Sequence, residues 1–396
     1  MDQLYILSGR LVANVSMAYQ RYLSNLIVWD DRLIGIRGSR GVGKTTLLLQ
    51  HIRQNGWEPQ EALYVSLDHM WFASHSILEL AEYHYTHGGK YLFLDEVHRY
   101  RTWMQELKNI SDFYPDLHVV FTGSSLLQID NAIADLSRRC ISYTMQGLSF
   151  REYLIFAGVA QWDSIRLEDI LQSHTSLSIR LNSEIHVLPF FAQYLQQGYY
   201  PFYWDAQSTY QARLQQAIST IIDVDIPQTE QIEFESLYKT KQLLSALAGL
   251  VPYTLNISDL CKSIGTTRNQ LLRLLNLLEH SALIRKLYPE QSGIQSLAKP
   301  EKILLENTNL MYALSSSIER GTVRETFFCN QMALQHTLAM PNKGDVLVDE
   351  KYLFEVGGRT KGYKQIKGIT DSWIVADDIE TGFGNKIPLW LFGMMY

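Results

Sequence analysis

The loop Gly38-Ser39-Arg40-Gly41-Val42-Gly43-Lys44-Thr45-Thr46 limits what this chain can fold into more than any other stretch. Glycine, four residues, then Gly-Lys-Thr is the Walker A order. Its flanks complete the unit. Leu33, Ile34 and Ile36 form an apolar run of strand type, and the residues from Thr46 to Gln54 suit a helix that stops at Gly56. A strand, a glycine loop and a helix in that order predict a P-loop built on a parallel α/β sheet. Glycines at 38, 41 and 43 let the backbone curl so that successive N–H groups converge, and the helix N-terminus adds partial positive charge. A triphosphate such as ATP fits there. Lys44 is expected to reach the β- and γ-phosphates as a point charge, and the Thr45 hydroxyl to ligate Mg²⁺.

The α/β pattern continues downstream. Glu61 to Asp68 reads as a strand and Ser74 to Tyr85 as a helix ending at Gly88-Gly89. Tyr91-Leu92-Phe93-Leu94-Asp95-Glu96 then closes an apolar run on two carboxylates, as a buried parallel strand does when it delivers acids to the C-terminal edge of a sheet. Asp95 is the expected Mg²⁺ ligand. Glu96 is the expected base, accepting a proton from the attacking water or polarising it. An acid in that place favours hydrolysis, since a nucleoside kinase has its substrate as nucleophile and needs no water-activating group. A helix over Trp103 to Phe113 leads past Pro115 into a strand over Leu117 to Phe121, which ends at Thr122-Gly123-Ser124-Ser125. A hydroxyl there would meet the γ-phosphate, with Ser124 or Thr122 the sensor candidate. Arg138-Arg139 precede a last strand over Ile141 to Met145, and such a pair reads either as an arginine finger or as solvated surface charge.

These runs, together with Trp103, the sequence G-L-S-F-R-E-Y-L after Arg139, and L-Q-Q-G-Y-Y-P at Leu195 to Pro201, resemble the AAA-type bacterial and archaeal ATPases that carry an uncharacterised C-terminal region. The resemblance spans nearly the whole chain. It implies nucleotide chemistry and an arginine finger at Arg139 rather than Arg138; a finger that acts from a neighbouring subunit would make the protein a homo-oligomer.

The remaining residues set the domain plan. At 396 residues the chain has room for two to four domains, and 46% hydrophobic with 19% charged residues is ordinary for a globular protein. Residues 1–160 are expected to be the P-loop ATPase domain and 161–235 a helical lid. The lid helices fall near Ile165 to Leu171, Phe190 to Gln197 and Tyr210 to Ile222, and the cluster Tyr199, Tyr200, Phe202, Tyr203 and Trp204 reads as lid core rather than a base-stacking platform. Over 236–300 the pattern becomes Lys239 to Gly249, Ser258 to Ile264 capped by Ser258, a Gly265-Thr266 turn, and Thr267 to His280. That spacing suits a helix-turn-helix in a winged helix.

Charge is segregated there. From Ser236 to Lys299 eight Lys and Arg face three Asp and Glu, a net of +5, so that the rest of a chain of net −6 carries −11. Arg268, Asn269 and Arg273 could face DNA, while the leucines at 271, 272, 274, 275, 277 and 278 bury the other side; DNA contact and interdomain packing both fit.

Residues 301–396 read as a C-terminal α/β domain with a strand over Lys302 to Glu306, a helix near Thr322 to Leu334, and a hairpin from Asp345-Val346-Leu347-Val348 to Tyr352 through Val356. Glu325, Asp345 and Glu355 follow the order of a restriction-endonuclease-like core. That core wants a lysine two residues after the last acid, where Gly357 stands, and Lys361 or Lys364 could serve only by reaching back. An inactive nuclease fold that binds a protein partner is the expectation.

Cys140, Cys261 and Cys329 form no Cys-x-x-Cys pair, which points away from a disulfide framework or a zinc site. No apolar run approaches bilayer length, and the N-terminus lacks signal-peptide order. A cytoplasmic protein without a membrane partner is expected. Its activity would be Mg²⁺-dependent ATP binding and hydrolysis that drives a conformational change, with DNA a candidate partner. The alternatives are a slowly hydrolysing switch that signals to a protein, and an ATP-loaded nuclease.

Overall fold

The computed structural model describes residues 1–124, 139–205, 207–229, 232–250, 253–254, 256–290 and 300–396. Ser125 and Arg138 lie outside them. Two compact units emerge: Met1–Gly147 with Asp223–Ile232, and Leu148–Ile222 with Glu233–Tyr396.

In the first unit, helix α1 (Asp2–Asn14) precedes strand β1 (Leu33–Arg37), helix α2 (Lys44–Asn55), β2 (Ala62–Ser66), α3 (Ile77–Thr86), β3 (Tyr91–Asp95), α4 (Trp103–Phe113), β4 (His118–Gly123) and β5 (Ile141–Thr144). The strands pair in the order β2-β3-β4-β1-β5, every pair parallel. Local chemistry sets the element ends. Ser76 and Glu79 form a reciprocal capping box at the start of α3, and Gly56 ends α2 in the left-handed region at φ 67. Leu92, Leu94, Leu107, Ile110 and Phe121 are fully buried between sheet and helices. Because β4 lies between β3 and β1, the sheet brings the ends of all three to one edge, where the phosphate loop, the acidic pair and the hydroxyl turn converge.

The second unit opens on the helices Phe150–Phe156, Leu167–Glu184, Val187–Gln197 and Tyr210–Thr220. The aromatic cluster is core, as expected. Tyr199, Tyr200 and Tyr203 are buried, and Tyr199 packs edge-on against Tyr200 at 5.0 Å. A residue distant in sequence organises it. Buried Asn309 donates to Tyr194 O and Leu195 O at 3.1 and 3.0 Å, and accepts from Tyr199 N and the Tyr210 hydroxyl.

Helices Phe234–Leu250, Ile257–Ile264 and Arg268–His280 follow, with an antiparallel sheet in the order β6 (Tyr253–Thr254), β8 (Lys302–Leu305), β7 (Ile284–Leu287). Two corrections arise here. The cap of Ile257–Ile264 is Asn256, whose side chain accepts from Ser258 N and Asp259 N; the amide stands one residue before the helix, where the orphan N–H groups can reach it, and Ser258 is already inside. The strand at Lys302–Leu305 does not open the C-terminal sheet. It hydrogen-bonds β7 and β6, because its apolar Ile303, Leu304 and Leu305 complete that small sheet.

Helices Thr308–Leu314 and Arg320–Met332 lead to a mixed sheet ordered β13 (Lys386–Pro388), β12 (Ser372–Ala376), β11 (Tyr352–Gly357), β10 (Val346–Val348), β9 (Leu338–Ala339), in which β10 and β11 form the expected hairpin. The last turn, Leu389–Met394, is buried, and Phe150 packs where a Cβ at Gly393 would lie. Arg151 Nε donates to Tyr396 O at 2.9 Å, which fastens the residues just after Gly147 to the C-terminal end of the same unit.

Candidate nucleotide site

The phosphate loop takes the backbone form its glycines allow. Gly41 and Gly43 have φ 84 and 99, in the left-handed region, and a Cβ at Gly38 would lie 2.2 Å from Met145 O. Ser39, Arg40 and Val42 complete the bend, and Lys44, Thr45 and Thr46 begin α2. Lys44 is buried, and its Nζ donates to Gly38 O at 2.7 Å and Ser39 O at 3.1 Å. Burial lowers its pKa, and the carboxylates of Glu96 and Asp95 act against that. Its ammonium hydrogen-bonds two neutral loop carbonyls, and among the described residues it has no hydrogen-bonded counter-charge. An incoming phosphate oxygen would supply one.

Asp95, at the end of β3, is the centre of a hydroxyl cage. Thr45 Oγ1 donates to Oδ2 at 2.5 Å, the Tyr64 hydroxyl to the same oxygen at 2.8 Å, and Thr122 Oγ1 to Oδ1. Burial and then Asp95 itself push the Tyr64 phenol well above its ordinary pKa, so it stays a donor. Tyr64 sits on β2 and carries no motif signal; only the pairing of β2 with β3 brings it here. Thr45 and Asp95 fit Mg²⁺ as a pair of hard oxygen ligands standing side by side, with phosphate oxygens to complete the shell. The ion would supply charge neutralisation of the phosphates.

Glu96 follows with φ 56, left-handed for a residue with a Cβ, a backbone strain of the kind found at functional positions. Burial raises its carboxyl pKa, against the pull of Lys44. The two hydroxyls at the end of β4 divide their work. Thr122 serves Asp95, whereas Ser124 Oγ lies 3.1 Å from His98 Nε2. Ser124 is therefore the hydroxyl that Asp95 does not engage.

Besides Tyr64, sequence reading missed two contributors. His98 is one, buried on the turn Val97–Arg99. Asp225 is the other: it accepts from Arg40 of the loop at 3.3 Å and from Arg99 at 3.0 Å, and it comes from the Asp223–Ile232 segment that joins the first unit. Nothing in the local sequence marks Asp225, since its role exists only once that segment reaches the loop.

Arg139 does not join this site. It stands before β5, and because β5 runs parallel to β1 it lies at the edge of the sheet opposite the phosphate loop, paired with Asp112 at 3.0 Å. A finger reaching its own nucleotide from the sheet edge is ruled out by that geometry.

With the geometry in place, the comparisons can be set beside it. A family profile described as an AAA domain matches residues 30–154. Residues 30–154 form an AAA-family domain. Its P-loop, Asp95-Glu96 strand end and five-stranded parallel sheet are the features described above, and they make the first unit a P-loop NTPase module. A domain of unknown function (DUF8612) matches residues 189–320, from the helix Val187–Gln197 through β8 to the start of Arg320–Met332. An uncharacterized protein of Methanocaldococcus jannaschii is 27% identical over 373 residues, which cover 89% of this chain and 76% of that one. Among solved structures, AMPPCP-bound DnaA from Aquifex aeolicus aligns with 13% identity over 70% of this chain and 88% of that one at a TM-score of 0.27. PCH-2 of C. elegans aligns with 13% identity over 69% of each chain at 0.25. Likeness at those scores carries no argument of its own.

The C-terminal carboxylates form a second cluster, within the second unit. Lys361 does reach back: its Nζ lies 2.5 Å from Glu355 Oε1, and a Cβ at Gly357 would lie 2.6 Å from Lys361 Cδ. The stem of Lys361 fills the space that a side chain at 357 would take, which corrects the expectation that no lysine is positioned. Gln365, oriented with its amide nitrogen inward, donates to both Glu355 oxygens, Asp345 Oδ2 accepts from Val356 N at 2.8 Å, and Lys302 pairs with Glu325. Among the described residues no three His, Cys, Asp or Glu side chains stand at metal-ligand spacing.

Proposed function

We propose that the AAA domain binds ATP with Mg²⁺ and hydrolyses it, and that the cycle drives a conformational change. Lys44 and the loop amides hold the phosphates, Thr45 and Asp95 hold the ion, Glu96 takes the proton of the attacking water, and Ser124 senses the γ-phosphate. The observation that carries this reading is Glu96: a half-buried carboxyl next to Asp95, held in a left-handed backbone conformation just after β3, whose pKa burial raises. Steady-state turnover of wild type against Glu96→Gln tests it, and a wild type that binds ATP without turnover leaves only the slow-switch alternative.

DNA contact belongs to the same proposal. The helices Phe234–Leu250, Ile257–Ile264 and Arg268–His280 with the antiparallel sheet β6-β8-β7, which reaches past 300 to Leu305, support a winged-helix reading, and Arg268, Asn269 and Arg273 stand exposed on Arg268–His280 while Leu271, Leu274, Leu275, Leu277 and Leu278 are buried. This arrangement supports an exposed, basic face for a duplex. Arg139, remote from its own loop, supports a homo-oligomer in which it meets a neighbour's nucleotide. No described helix is long and apolar enough to cross a membrane, and the reading adopted is a cytoplasmic protein.

A second reading, the ATP-loaded nuclease, is favoured by the Lys361–Glu355 pair, because that lysine was the missing part. The carboxylates would have to draw together on a divalent ion. Incubation with supercoiled DNA and Mn²⁺ or Mg²⁺, wild type against Lys361→Ala, decides it; no cutting by wild type leaves 301–396 as an interaction module for a protein partner.

A further inference from the structure

His98 sits directly behind the acidic pair, and its side chain is fully enclosed. Its Nε2 is 3.1 Å from Ser124 Oγ and 3.4 Å from Glu96 Oε2, so one ring nitrogen faces both the sensor hydroxyl and the base. Among the described residues, two neighbouring atoms, His98 Nδ1 and Glu96 Oε2, are buried without a hydrogen-bond partner. The tautomer follows from these facts. A bare Nε2 lone pair aimed at a carboxylate oxygen would be repelled, whereas Nε2–H is attracted. A buried acceptor left bare at Nδ1 is also less costly than an orphaned donor there. The ring stays neutral, since burial and the cations Lys44, Arg99 and Arg40 bring its pKa down to about 3.

With Nε2–H donating to Ser124 Oγ, that hydroxyl accepts on one side and must direct its own hydrogen elsewhere. Ser124 directly follows β4, at the sheet edge where the phosphate loop opens, a place from which that hydrogen can serve a bound γ-phosphate. We propose that His98 is a positioning residue, which fixes the Ser124 hydroxyl as a donor to the γ-phosphate and keeps a weak N–H contact on Glu96 until that phosphate is in place. When Ser124 engages the phosphate, its oxygen takes the Nε2–H fully, and Glu96 Oε2 is left to accept from water. The base is thereby matched to an occupied γ-phosphate position. This rests on the hydrolysis reading above.

The test uses the full chain and compares ATP turnover with ATP affinity by calorimetry for His98→Phe, His98→Gln, His98→Asn, Ser124→Ala and the double variant His98→Phe/Ser124→Ala. Gln places an amide N–H where Nε2 was; Asn is too short. Expected are a loss of about 10- to 100-fold in kcat for Phe, Asn and Ser124→Ala with affinity within about threefold, since a donor to developing charge is worth about 10² to 10³ at most and His98 acts through one. Gln should recover most of the rate, and the double variant should be no slower than its worse single, as expected of two groups acting as one. Turnover of Phe or Asn within twofold of wild type overturns the proposal, as do additive losses or equal rates for Gln and Asn. Should Phe fail to fold, as judged by its melting temperature, the Gln–Asn comparison decides alone. A wild type without turnover sinks the hydrolysis reading and this proposal with it; wild-type turnover indifferent to His98 sinks this proposal only.

Discussion

Thr45 Oγ1 donates to Asp95 Oδ2 across 2.5 Å, although fifty positions separate the two residues and one begins a helix while the other ends a strand. The two oxygens stand side by side where they would hold a divalent ion, which would supply charge neutralisation at the phosphates. Preorganisation of this kind makes the loop lysine, rather than the ion pocket, the sensitive element.

Lys44→Ala is expected to abolish measurable ATP binding. The loop loses the buried cation that offsets phosphate charge, and the Gly38 and Ser39 carbonyls lose their donor. Titration calorimetry checks it, and unchanged affinity would return the loop to a structural turn.

Glu96→Gln should bind ATP yet turn it over at least about 100-fold more slowly, because the amide keeps the shape and loses the base. The wild-type rate should also depend on pH with a definite sign. Burial raises the Glu96 pKa, so activity is present while the carboxylate is ionised and is lost on acidification at a higher pH than an ordinary glutamate would give. A pH–rate profile with the ordinary acid limb, or near-normal turnover of the amide variant, would reassign Glu96 to structure.

Asp225→Ala leaves Arg40 and Arg99 without the carboxylate they share. Hydrogen bonds to charged groups contribute about 1.5–3 kcal/mol each way of counting, and the lower end applies because Arg40 is 36% exposed. A fall in melting temperature of a few degrees should accompany altered ATP affinity, since Arg40 is part of the loop. Thermal melts with and without ATP measure both, and an unchanged melt would make the contact incidental.

Arg139→Ala should leave ATP affinity intact and cut turnover by about 10³ or more if it completes a neighbour's site, the range of arginine fingers. The rate per subunit should then rise with protein concentration, and Arg139→Ala mixed with Lys44→Ala should regain activity. Mild loss with no regain would leave the Arg139–Asp112 pair as surface charge, worth about 0–1 kcal/mol.

Arg268→Ala with Arg273→Ala should weaken duplex binding and flatten its salt dependence by about one unit per lost phosphate contact. Gel retardation at low salt checks it. A wild type that retards no duplex makes this helix a packing element.

The sequence by itself determined the parts whose chemistry is contiguous: the phosphate loop, the strand that ends on Asp95-Glu96, the apolar strands, and the stop residue Gly56. These need only neighbours along the chain, because a P-loop's anion cradle is made from successive backbone N–H groups. The third strand's acids were legible for the same reason, whereas the pairing of β3 with β4 was decided by the folded sheet. What tertiary structure alone decided were the contacts that cross between elements. Tyr64 on Asp95, Asp225 on Arg40, Ser124 on His98, and Asn309 among the tyrosines each join groups whose local sequence is unremarked. Lys361 shows the limit from the other side: pattern reading wanted a lysine at 357, but a long flexible stem four residues on can carry its ammonium to the same carboxylate, provided 357 lacks a side chain to block it. Arg139 shows it again, for only the parallel pairing of β5 with β1 puts that arginine at the far edge of the sheet from its own phosphate loop.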